Sequence, residues 1–536
     1  MPRRAKAISP RATPRQSKRR VLASICALTF TFLAASCHSA PYDPNSLTLV
    51  IESNPANLDP RFATDGPSQH LDSLIFSSLV ERDNQMVLHP DAAESWETPD
   101  PLTYIFHLRH GVTFHDGQPL TSADVQATID FIRDAKNHSP KRATYRHVTA
   151  VDAPDPSTVI FHLSEPEASF LWNLSRGAFG IVPANAAANF AAHPIGSGPF
   201  QFVRQVQDDE VVLTRNENYF RGAPPLQTVR ARIVPDNVVR ALELRKGSAD
   251  VEISSLSPDM IPVLAKQPTL AVTKKPGTNV NYLGFNLNDP ILARREVRQA
   301  LAYATDRAAI IRYLLHGQAR IAEGLLPPNH WAYEPDVTHY AADNARAVKL
   351  LEDAGFHAQP DGTRLHLTLK TSTDEQARLI AAALQQQWRA AGIALEIRPL
   401  EFATLLSDAI KGNFQINLLR WVGANNDPDI FEFVYSSARI PPDGANRARY
   451  RNAQVDALTA QIHSEMDQEK RRALCSQVQK IVAADLPVFP LWFVDAVSVH
   501  RRSLGDLDLS PSGDFDFLAT LAPNNTPQRI TRSAIP

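Results

Sequence analysis

Hydrophobic and polar side chains alternate along Thr103–Leu108, where Tyr104, Phe106 and Leu108 are the apolar positions. A period of two is typical of a strand with one buried face. The stretch Thr158–Leu163 repeats the pattern with nearly the same letters, TVIFHL against TYIFHL. We therefore expect both stretches to be strands of one small α+β unit, and not a solenoid, because the chain holds no further copies.

A turn and a helix start follow the first of these strands. Val112 and Phe114 indicate a second short strand, and the Asp-Gly pair that begins at Asp116 predicts a turn after it. Thr121 is expected to cap a helix, with Asp124 in the acidic position of a capping box. The pattern thus predicts a strand, a turn and a capped helix in immediate succession.

From residue 343 onward the period changes regularly between that of a strand and that of a helix. Strands are predicted at 365–369, 393–397 and 415–421, and helices at 375–391 and 402–411. Strands that alternate with helices through short connections indicate right-handed crossovers and a parallel sheet. Ligands of such sheets bind beyond the carboxyl ends of the strands, so the loop Trp421–Pro428 after the third strand is a candidate site.

The stretch Leu88–Val125 also contains an ordered set of short motifs: ESW, a strand that ends in LR, FHDG, PLT and DV. In this order they resemble the signature region of the peptide/nickel class of extracytoplasmic solute-binding proteins, the capture subunits of ABC importers. Leu58–Pro60 (LDP), Gly196–Phe200 (GSGPF) and Val297–Arg307 (VRQALAYATDR) are similar to further segments of the same family. The resemblance implies an α/β, two-lobed periplasmic-binding-protein fold of the large peptide-binding class, with an extra α+β subdomain.

The expected domain boundaries follow from this resemblance and from the pattern. A chain of 536 residues is too long for one core, which agrees with several packed units. The predicted units are a signal peptide (1–36), a lipid-attached tether (37–45), lobe I (46–83, 193–277 and 488–524), the extra subdomain (84–192), lobe II (278–487) and a disordered tail (525–536).

The first 20 residues hold eight Lys or Arg and no acid, and an apolar run follows from Val21 to Ala35. A short run with a basic start predicts an export signal and not a membrane span, which needs about 20 apolar residues. The chain has 55 basic and 57 acidic residues, so removal of this segment leaves a net charge near −10. Such a charge argues against nucleic acid as a partner.

Ala34-Ala35-Ser36 leads into Cys37 and resembles a lipoprotein processing site. Cleavage before Cys37 would leave a thiol for lipidation, which predicts a membrane-anchored lipoprotein in the periplasm or on the cell surface. The alternative is an ordinary secretory signal that is cut nearby and leaves a free cysteine. Arg19-Arg20 leaves open whether export uses the Sec or the twin-arginine route.

The resemblance also implies ligand contacts on lobe I. In relatives, the loop just after the LDP element reaches the ligand, which corresponds to Thr64, Asp65 and Gly66 in this chain. The alternative is that this Asp-Gly pair forms only a surface turn.

The expected ligand contacts on lobe II are Tyr282, Trp421, Val422, Gly423, Asn425 and Asp427. Peptide-binding relatives hold an extended peptide with the strand backbone around the Trp and pair its α-amino group with an Asp three residues later. Ala424 stands at that position here, which puts free-amine oligopeptides in doubt, because a buried ammonium needs a counter-charge. Asp427 could replace the missing carboxylate or only shape the loop, and Trp421 could be an ordinary core residue.

No cofactor or metal is expected. The three cysteines, Cys26, Cys37 and Cys475, are too scattered for a disulfide framework or a thiolate metal site. His107 and His162 lie on strand faces without a carboxylate or cysteine at ligand spacing, so we interpret them as surface or cross-strand partners. Metalloprotease, nucleophile-elbow and phosphate-loop motifs are missing at usable spacing, which argues against an enzyme.

The predicted function is capture of a peptide or peptide-like solute between two lobes and its delivery to an ABC permease and ATPase. A nickel chelate, an opine or an oligosaccharide is an alternative ligand, since relatives with this scaffold bind them. An exported hydrolase, or a sensor or envelope chaperone without a permease, is the alternative class of function. We expect a monomer that a lipid anchor holds at the membrane.

Overall fold

The computed structural model describes residues 45–187, 189–422 and 427–522. The expected signal peptide, the Cys37 lipidation site, the tail beyond residue 524 and the candidate contacts Gly423 and Asn425 lie outside these residues. In the part of the chain that the structure describes, no helix combines the length and the hydropathy needed to cross a bilayer.

The first elements contribute a strand and a helix to lobe I and then form the inserted subdomain. They are β1 (Ser46–Ile51), α1 (Gly66–Ile75), β2 (Val80–Arg82), β3 (Leu88–Pro90), β4 (Ala93–Asp100), β5 (Thr103–Leu108), α2 (Ser122–Arg133), β6 (Val148–Asp155), β7 (Thr158–Leu163) and α3 (Phe170–Asn173). Strands β5 and β7 alternate between buried and half-buried residues, as predicted.

The predicted capping box is present at the start of α2, where the Asp124 carboxylate accepts a hydrogen bond from the Thr121 backbone N–H at 2.8 Å. The short strand expected at Val112 and Phe114 is wrong, because a single bridge between Thr113 and Pro119 is all that forms there.

The chain then returns to lobe I and crosses to lobe II. The lobe I elements are β8 (Phe200–Val206), β9 (Glu210–Arg215), β10 (Thr228–Ile233), α4 (Asn237–Lys246), β11 (Val251–Ile253), α5 (Met260–Leu264) and β12 (Leu270–Lys275). The lobe II elements are β13 (Val280–Phe285), α6 (Arg295–Tyr303), α7 (Arg307–Tyr313), β14 (Ala319–Ile321), α8 (Asn344–Asp353), β15 (Leu365–Ser372), α9 (Glu375–Arg389), β16 (Ile393–Leu400), α10 (Phe402–Lys411), β17 (Ile416–Trp421), α11 (Ile430–Tyr435), α12 (Ala453–Ser464), α13 (Gln468–Asp485) and β18 (Val488–Val494). Strand β19 (Ala496–Arg501) follows in lobe I.

Short 3₁₀ turns lie at Ala135–Asn137, Arg142–Tyr145, Phe190–Ala192, Ser437–Arg439, Arg502–Leu504 and Asp516–Ala519.

Each lobe is built on one mixed sheet. The lobe I sheet has the order β12-β19-β11-β1-β10-β9-β8, with β1 parallel to both β10 and β11. The subdomain has an antiparallel sheet of order β4-β5-β7-β6. The lobe II sheet has the order β14-β18-β13-β17-β15-β16.

The lobe II sheet only partly matches the expected parallel sheet. Strand β15 is parallel to β16 and β17, as predicted, whereas β13 pairs antiparallel with both β17 and β18, and β14 pairs antiparallel with β18. Strand β13 enters from lobe I, and strand β18 leads back to lobe I. They are not consecutive strands joined by a crossover helix. The strand–helix alternation therefore carries no information about their direction.

The end of lobe II also lies further along the chain than expected. We expect lobe I to resume at residue 488, but β18 pairs with β13 and β14 of the lobe II sheet. Its residues Phe489, Leu491 and Trp492 are buried in the lobe II core. The chain therefore crosses back to lobe I at Asp495, and the other domain boundaries stay predictions.

Two backbone segments, 276–279 and Asp495, join the lobes, and together we call them the hinge. A Cβ at Gly277 would lie 2.1 Å from the carbonyl oxygen of Val494, so only glycine lets the two segments pass this closely. The buried Asp495 carboxylate binds Lys274 at 3.0 Å and Arg320 at 3.1 Å. The hinge thus combines a close backbone contact with a buried ion-pair cluster.

Candidate functional site

The hinge identifies the edge of each sheet that faces the other lobe. In lobe II, Val280 at the start of β13 pairs with Trp421 at the end of β17 and with Phe493 near the end of β18. In lobe I, Ser498 near the start of β19 pairs with Ile253 at the end of β11, which runs parallel to β1. The loops after β1 and β17 therefore start on facing edges, and we call the space between them the cleft.

The path of the chain creates a crevice beside β17. The chain runs from β15 through α9 to β16 and then crosses through α10 to β17, on the other side of β15. Loops diverge at such a switch point and leave a crevice beyond the carboxyl ends of the strands. The residues that follow β17 therefore lie where a doubly wound sheet binds its ligands.

Trp421, Tyr282 and Arg447 pack together at this edge. The Trp421 and Tyr282 rings stack with centroids 5.8 Å apart and planes 13° apart. The Arg447 guanidinium carbon lies 4.9 Å from the Trp421 ring centroid, and its Nη1 donates to the Tyr282 hydroxyl at 3.1 Å. Only 8% of Trp421 and 3% of Tyr282 is exposed. Trp421 is thus a core residue. Tyr282 is also buried, and it stacks on Trp421 and accepts a hydrogen bond from Arg447.

Arg447 is the residue that the sequence analysis missed. Its side chain is half-buried, its Nε is buried without a hydrogen-bond partner, and it forms no ion pair with any acid in the described ranges. A guanidinium held by a ring and a hydroxyl, but by no carboxylate, can bind an anionic group from outside. The only signal in the sequence is the alternation of Arg447, Arg449 and Arg451 ahead of α12.

The pKa values of two groups beside the cleft are shifted by loss of hydration. Arg420 lies on the opposite face of β17 from Trp421 and donates from Nε to Asn281 Oδ1 at 3.1 Å. Arg420 is an exposed residue, but desolvation by the protein atoms around its guanidinium lowers its pKa, and the Asp374 carboxylate opposes this shift. Burial likewise raises the pKa of the Tyr282 hydroxyl, against the charge of Arg447. Tyr282 therefore remains a neutral hydroxyl at physiological pH.

Apolar surface is exposed next to these groups. Val422, directly after β17, is 61% exposed, and Phe433 on α11 is 45% exposed. The Phe433 ring meets the Trp421 ring edge-on, with centroids 6.2 Å apart. Exposed apolar side chains beside a cationic group suit a ligand that has both an apolar part and a negative charge.

The structure gives Asp427 a partner within the protein. The residue is 8% exposed, and Arg471 donates from Nη1 to its Oδ2 at 2.9 Å and from Nη2 to its Oδ1. Arg471 also binds Asp429 at 2.9 Å. A carboxylate that is already paired with a guanidinium is not free to bind a ligand amine. The loop-shaping alternative therefore fits Asp427, and the amine-binding alternative does not.

The predicted contacts on lobe I surround the start of α1. Thr64 is exposed, and Asp65 is the N-cap of the helix. Its carboxylate accepts hydrogen bonds from the Ser68 backbone N–H at 3.0 Å and from the Ser68 hydroxyl at 2.6 Å. Gly66 is the first residue of the helix. Asp65 and Gly66 thus form the start of a helix. Of the three predicted contacts on lobe I, Thr64 is the one with an exposed side chain.

A second contact joins the lobes outside the hinge. The Ala168 N–H of the subdomain donates to the His463 carbonyl of lobe II at 3.0 Å, and the Ser169 hydroxyl donates to Asp429 Oδ2 at 2.7 Å. We call these four residues the rim. The hinge and the rim together hold the two lobes against each other.

A family model for bacterial extracellular solute-binding proteins, family 5 (its middle part), matches residues 87–440, more than half of the chain. The chain belongs to this family. Family 5 proteins are extracytoplasmic and capture solutes for ABC importers. This family 5 protein is therefore the solute-binding subunit of an importer and not an enzyme, as predicted.

Relatives resemble the whole chain and not only the matched part. The dipeptide-binding protein of Escherichia coli K12 is 27% identical over 514 residues, which cover 90% of this chain and 96% of the relative. The structure of the ABC transporter substrate-binding protein CtaP of Listeria monocytogenes has a TM-score of 0.80 at 28% identity and covers 89% of this chain and 99% of its own. The structure of MoaA of A. tumefaciens R10 with mannopinic acid has a TM-score of 0.74 at 27% identity and covers 90% and 99%. These likenesses confirm the expected two-lobed fold.

Proposed function

We propose that this family 5 protein binds a peptide or peptide-like solute that presents a carboxylate to Arg447. The observation that supports this proposal is the half-buried guanidinium, which has no acidic partner among the residues that the structure describes. A poorly hydrated charge is costly without a counter-charge. The parallel N–H groups of a guanidinium match the two oxygens of a carboxylate. A solute carboxylate is therefore the simplest group to complete this site.

The groups that could bind a free α-amine are already occupied or absent. Ala424 stands where peptide-binding relatives have an Asp, Asp427 is paired with Arg471, and Asp65 caps α1. We therefore infer a solute whose amine is blocked, substituted or left in solvent. An N-acylated peptide has no charged amine and meets this condition, as does an opine whose secondary ammonium faces solvent, whereas a dipeptide with its amino group buried in the cleft does not. The E. coli relative is named for dipeptides and MoaA was solved with mannopinic acid, so similar proteins are associated with both kinds of solute.

The apolar part of the solute would contact Val422 and Phe433, which expose 61% and 45% of their surfaces. The strand backbone next to Trp421 offers main-chain hydrogen bonding, which tolerates varied side chains. On lobe I, Thr64 offers an exposed hydroxyl. The role proposed for Trp421 is to support Arg447 and the strand, because its ring is nearly buried.

We also propose that the protein acts as a lipid-anchored monomer that delivers its solute to an ABC permease and its ATPase. Membership of family 5 supports a site of action outside the cytoplasm. The segment that leads into Cys37 supports lipid attachment, and the basic and apolar N-terminal residues support export.

The proposal is tested by identifying the copurifying solute by mass spectrometry and titrating it into the full chain by calorimetry. Arg447→Gln is expected to weaken binding at least tenfold, because a hydrogen bond to a charged group contributes roughly 1.5–3 kcal/mol. Arg447→Lys should recover part of this loss, since it restores the charge but not the paired geometry.

Arg451→Gln is the matched control, because Arg451 is an exposed arginine just beyond the same loop. It should bind the solute as the unmodified protein does. Equal affinity of the Arg447→Gln and Arg451→Gln variants, or a copurified solute without any carboxylate, would contradict the proposal.

A further inference from the structure

Three side chains with metal-binding chemistry meet beside the rim, and we call them the rim cluster: His147, Glu165 and His463. One ring nitrogen of each histidine and one carboxylate oxygen lie within 4.8 Å of one another. His147 Nδ1 is 3.1 Å from Glu165 Oε1, and His463 Nε2 is 3.8 Å from the same oxygen. Within the described ranges, this is the only group of His, Cys, Asp and Glu side chains with such spacing.

The fold brings the rim cluster together from two lobes. His147 immediately precedes β6 and Glu165 lies two residues after β7, and the pairing of Val148 with Leu163 places these strand ends side by side. His463 comes from the last turn of α12 in lobe II. The cluster therefore spans the contact between the subdomain and lobe II.

The surroundings of His463 orient it as a metal ligand. Its Nδ1 is 2.9 Å from Asp429 Oδ2, so the tautomer with the proton on Nδ1 donates to that carboxylate. Its Nε2 then presents a lone pair toward Glu165, and this atom is buried without a hydrogen-bond partner. Histidines that bind metals usually donate their other N–H to a carboxylate in this way. Asp429 is itself held by Arg471 at 2.9 Å.

The exposure of the cluster suits an ion that enters from solvent. The His147 and His463 side chains are 14% and 12% exposed, whereas Glu165 is 53% exposed. Zinc–ligand distances of about 2.0–2.1 Å place tetrahedral ligand atoms roughly 3.3 Å apart. Glu165 Oε1 lies 3.1 and 3.8 Å from the two histidine nitrogens, and all three ligand atoms lie within 4.8 Å of one another. Side-chain rotations that draw the two histidine nitrogens toward Glu165 would bring the three atoms to this geometry. Two imidazoles and one carboxylate form a known zinc ligand set that leaves a fourth position for water.

Other histidine–carboxylate pairs of the subdomain lack this arrangement. His107 bonds to Glu97 at 3.0 Å and His162 bonds to Asp152 at 2.9 Å, which confirms that these two histidines are surface partners of neighbouring strands. Each of these pairs has a single histidine, whereas the rim cluster combines two with one carboxylate. The pairs therefore provide internal controls for the rim cluster.

We propose that the rim cluster binds a divalent transition-metal ion, with Zn²⁺ as the best-matched ion, and that the ion holds the subdomain against lobe II. An ion whose ligands come from both sides binds only when the two sides are in contact, so it stabilises that arrangement by mass action. This site is separate from the cleft at Arg447 and needs no bound solute.

The test is calorimetric titration of Zn²⁺ alone into the untagged, solute-free full chain. The unmodified protein is expected to bind one ion per chain, and His463→Gln and Glu165→Gln should each weaken binding at least tenfold. Asp429→Asn should weaken it by about 10- to 100-fold, because a neutral amide is a weaker acceptor for the His463 N–H than a carboxylate. His162→Gln should bind Zn²⁺ as the unmodified protein does. Titration with Co²⁺ should give the visible absorption of a tetrahedral or five-coordinate complex that the Glu165→Gln variant lacks.

Glu165→Gln keeps the test decisive if a histidine variant does not fold, because this side chain is more than half exposed. Lack of Zn²⁺ binding by the unmodified protein, or equal binding by the Glu165→Gln and His162→Gln variants, would overturn the proposal and leave the cluster as a set of ion pairs. Neither result bears on solute capture, since no solute is present.

Discussion

At the hinge the lobes are joined by two backbone segments, one of which passes so close to the other that a Cβ at Gly277 would lie 2.1 Å from the Val494 oxygen. At the rim the lobes meet through non-covalent contacts such as the hydrogen bond from Ser169 to Asp429 at 2.7 Å. Covalent and close-packed contacts persist whether the cleft is open or closed, whereas rim contacts exist only when the lobes are together. Changes at the hinge should therefore alter stability, and changes at the rim should alter solute affinity.

The largest loss of unfolding free energy is expected for Gly277→Ala. The new methyl group would overlap the Val494 carbonyl oxygen at 2.1 Å, so the two hinge segments must move apart. Overpacking of this kind costs about 3 kcal/mol or more of unfolding free energy when backbone atoms have to shift. Urea denaturation followed by circular dichroism measures the loss.

Gly324→Ala provides the control for this substitution, because the nearest atom to its Cβ would be Gln479 Oε1 at 3.9 Å, an ordinary contact distance. This variant should be as stable as the unmodified protein or slightly more stable. If the two alanine variants unfold at the same urea concentration, the hinge is not a close-packed contact and the contrast with the rim is lost.

Asp495→Asn should have the next largest effect. The carboxylate is 2% exposed and binds Lys274 and Arg320, so its neutralisation leaves two cations facing each other. Because both cations are partly exposed, at 46% and 35%, solvent screening limits the loss to about 2 kcal/mol. Asp353→Asn removes an exposed pair with Lys349 and should change the unfolding free energy by less than about 0.5 kcal/mol. If Asp495→Asn and Asp353→Asn lose the same unfolding free energy in urea denaturation, the buried ion pairs of Asp495 stabilise the protein no more than an exposed pair does.

Local elements were predictable wherever the chain's own pattern decides them. Helix α10 has the predicted bounds, 402–411, because apolar positions at helical spacing and the αL glycine that follows define it. Strand β15 runs past the predicted residue 369 to Ser372, since its pairing with β16 continues to Ser372 opposite Leu400. The pairing with β16 therefore sets the end of β15, and the polar residues at 370–372 do not predict it.

The candidate site was predictable as a loop but not as a set of contacts. The strand–helix alternation and the family resemblance both pointed to the loop after Trp421. They could not show that Asp427 is bound by Arg471 on α13, or that Arg447 lies against Trp421. These pairs are far apart in sequence and are brought together only by packing. His463 and His147 are likewise far apart in sequence, and only packing brings them together.

The smallest effect is expected for Ser169→Ala, and it should appear in the affinity for the solute. This effect on affinity distinguishes the rim from the hinge. This change removes the hydrogen bond to Asp429 that forms only when the subdomain meets lobe II. Asp429 keeps its contacts with His463 and Arg471 when this hydroxyl is lost, so the bond contributes less than a full hydrogen bond to a charged group, about 0.5–1 kcal/mol. The affinity for the copurifying solute should therefore fall about two- to fivefold in metal-free buffer. Ser157→Ala removes a hydrogen bond of 2.7 Å to Asp155 within the same subdomain and should leave affinity unchanged. A loss of unfolding free energy in the Ser169→Ala variant without any loss of affinity would mean that the rim contact persists in the open protein, and the contrast between rim and hinge would then fail.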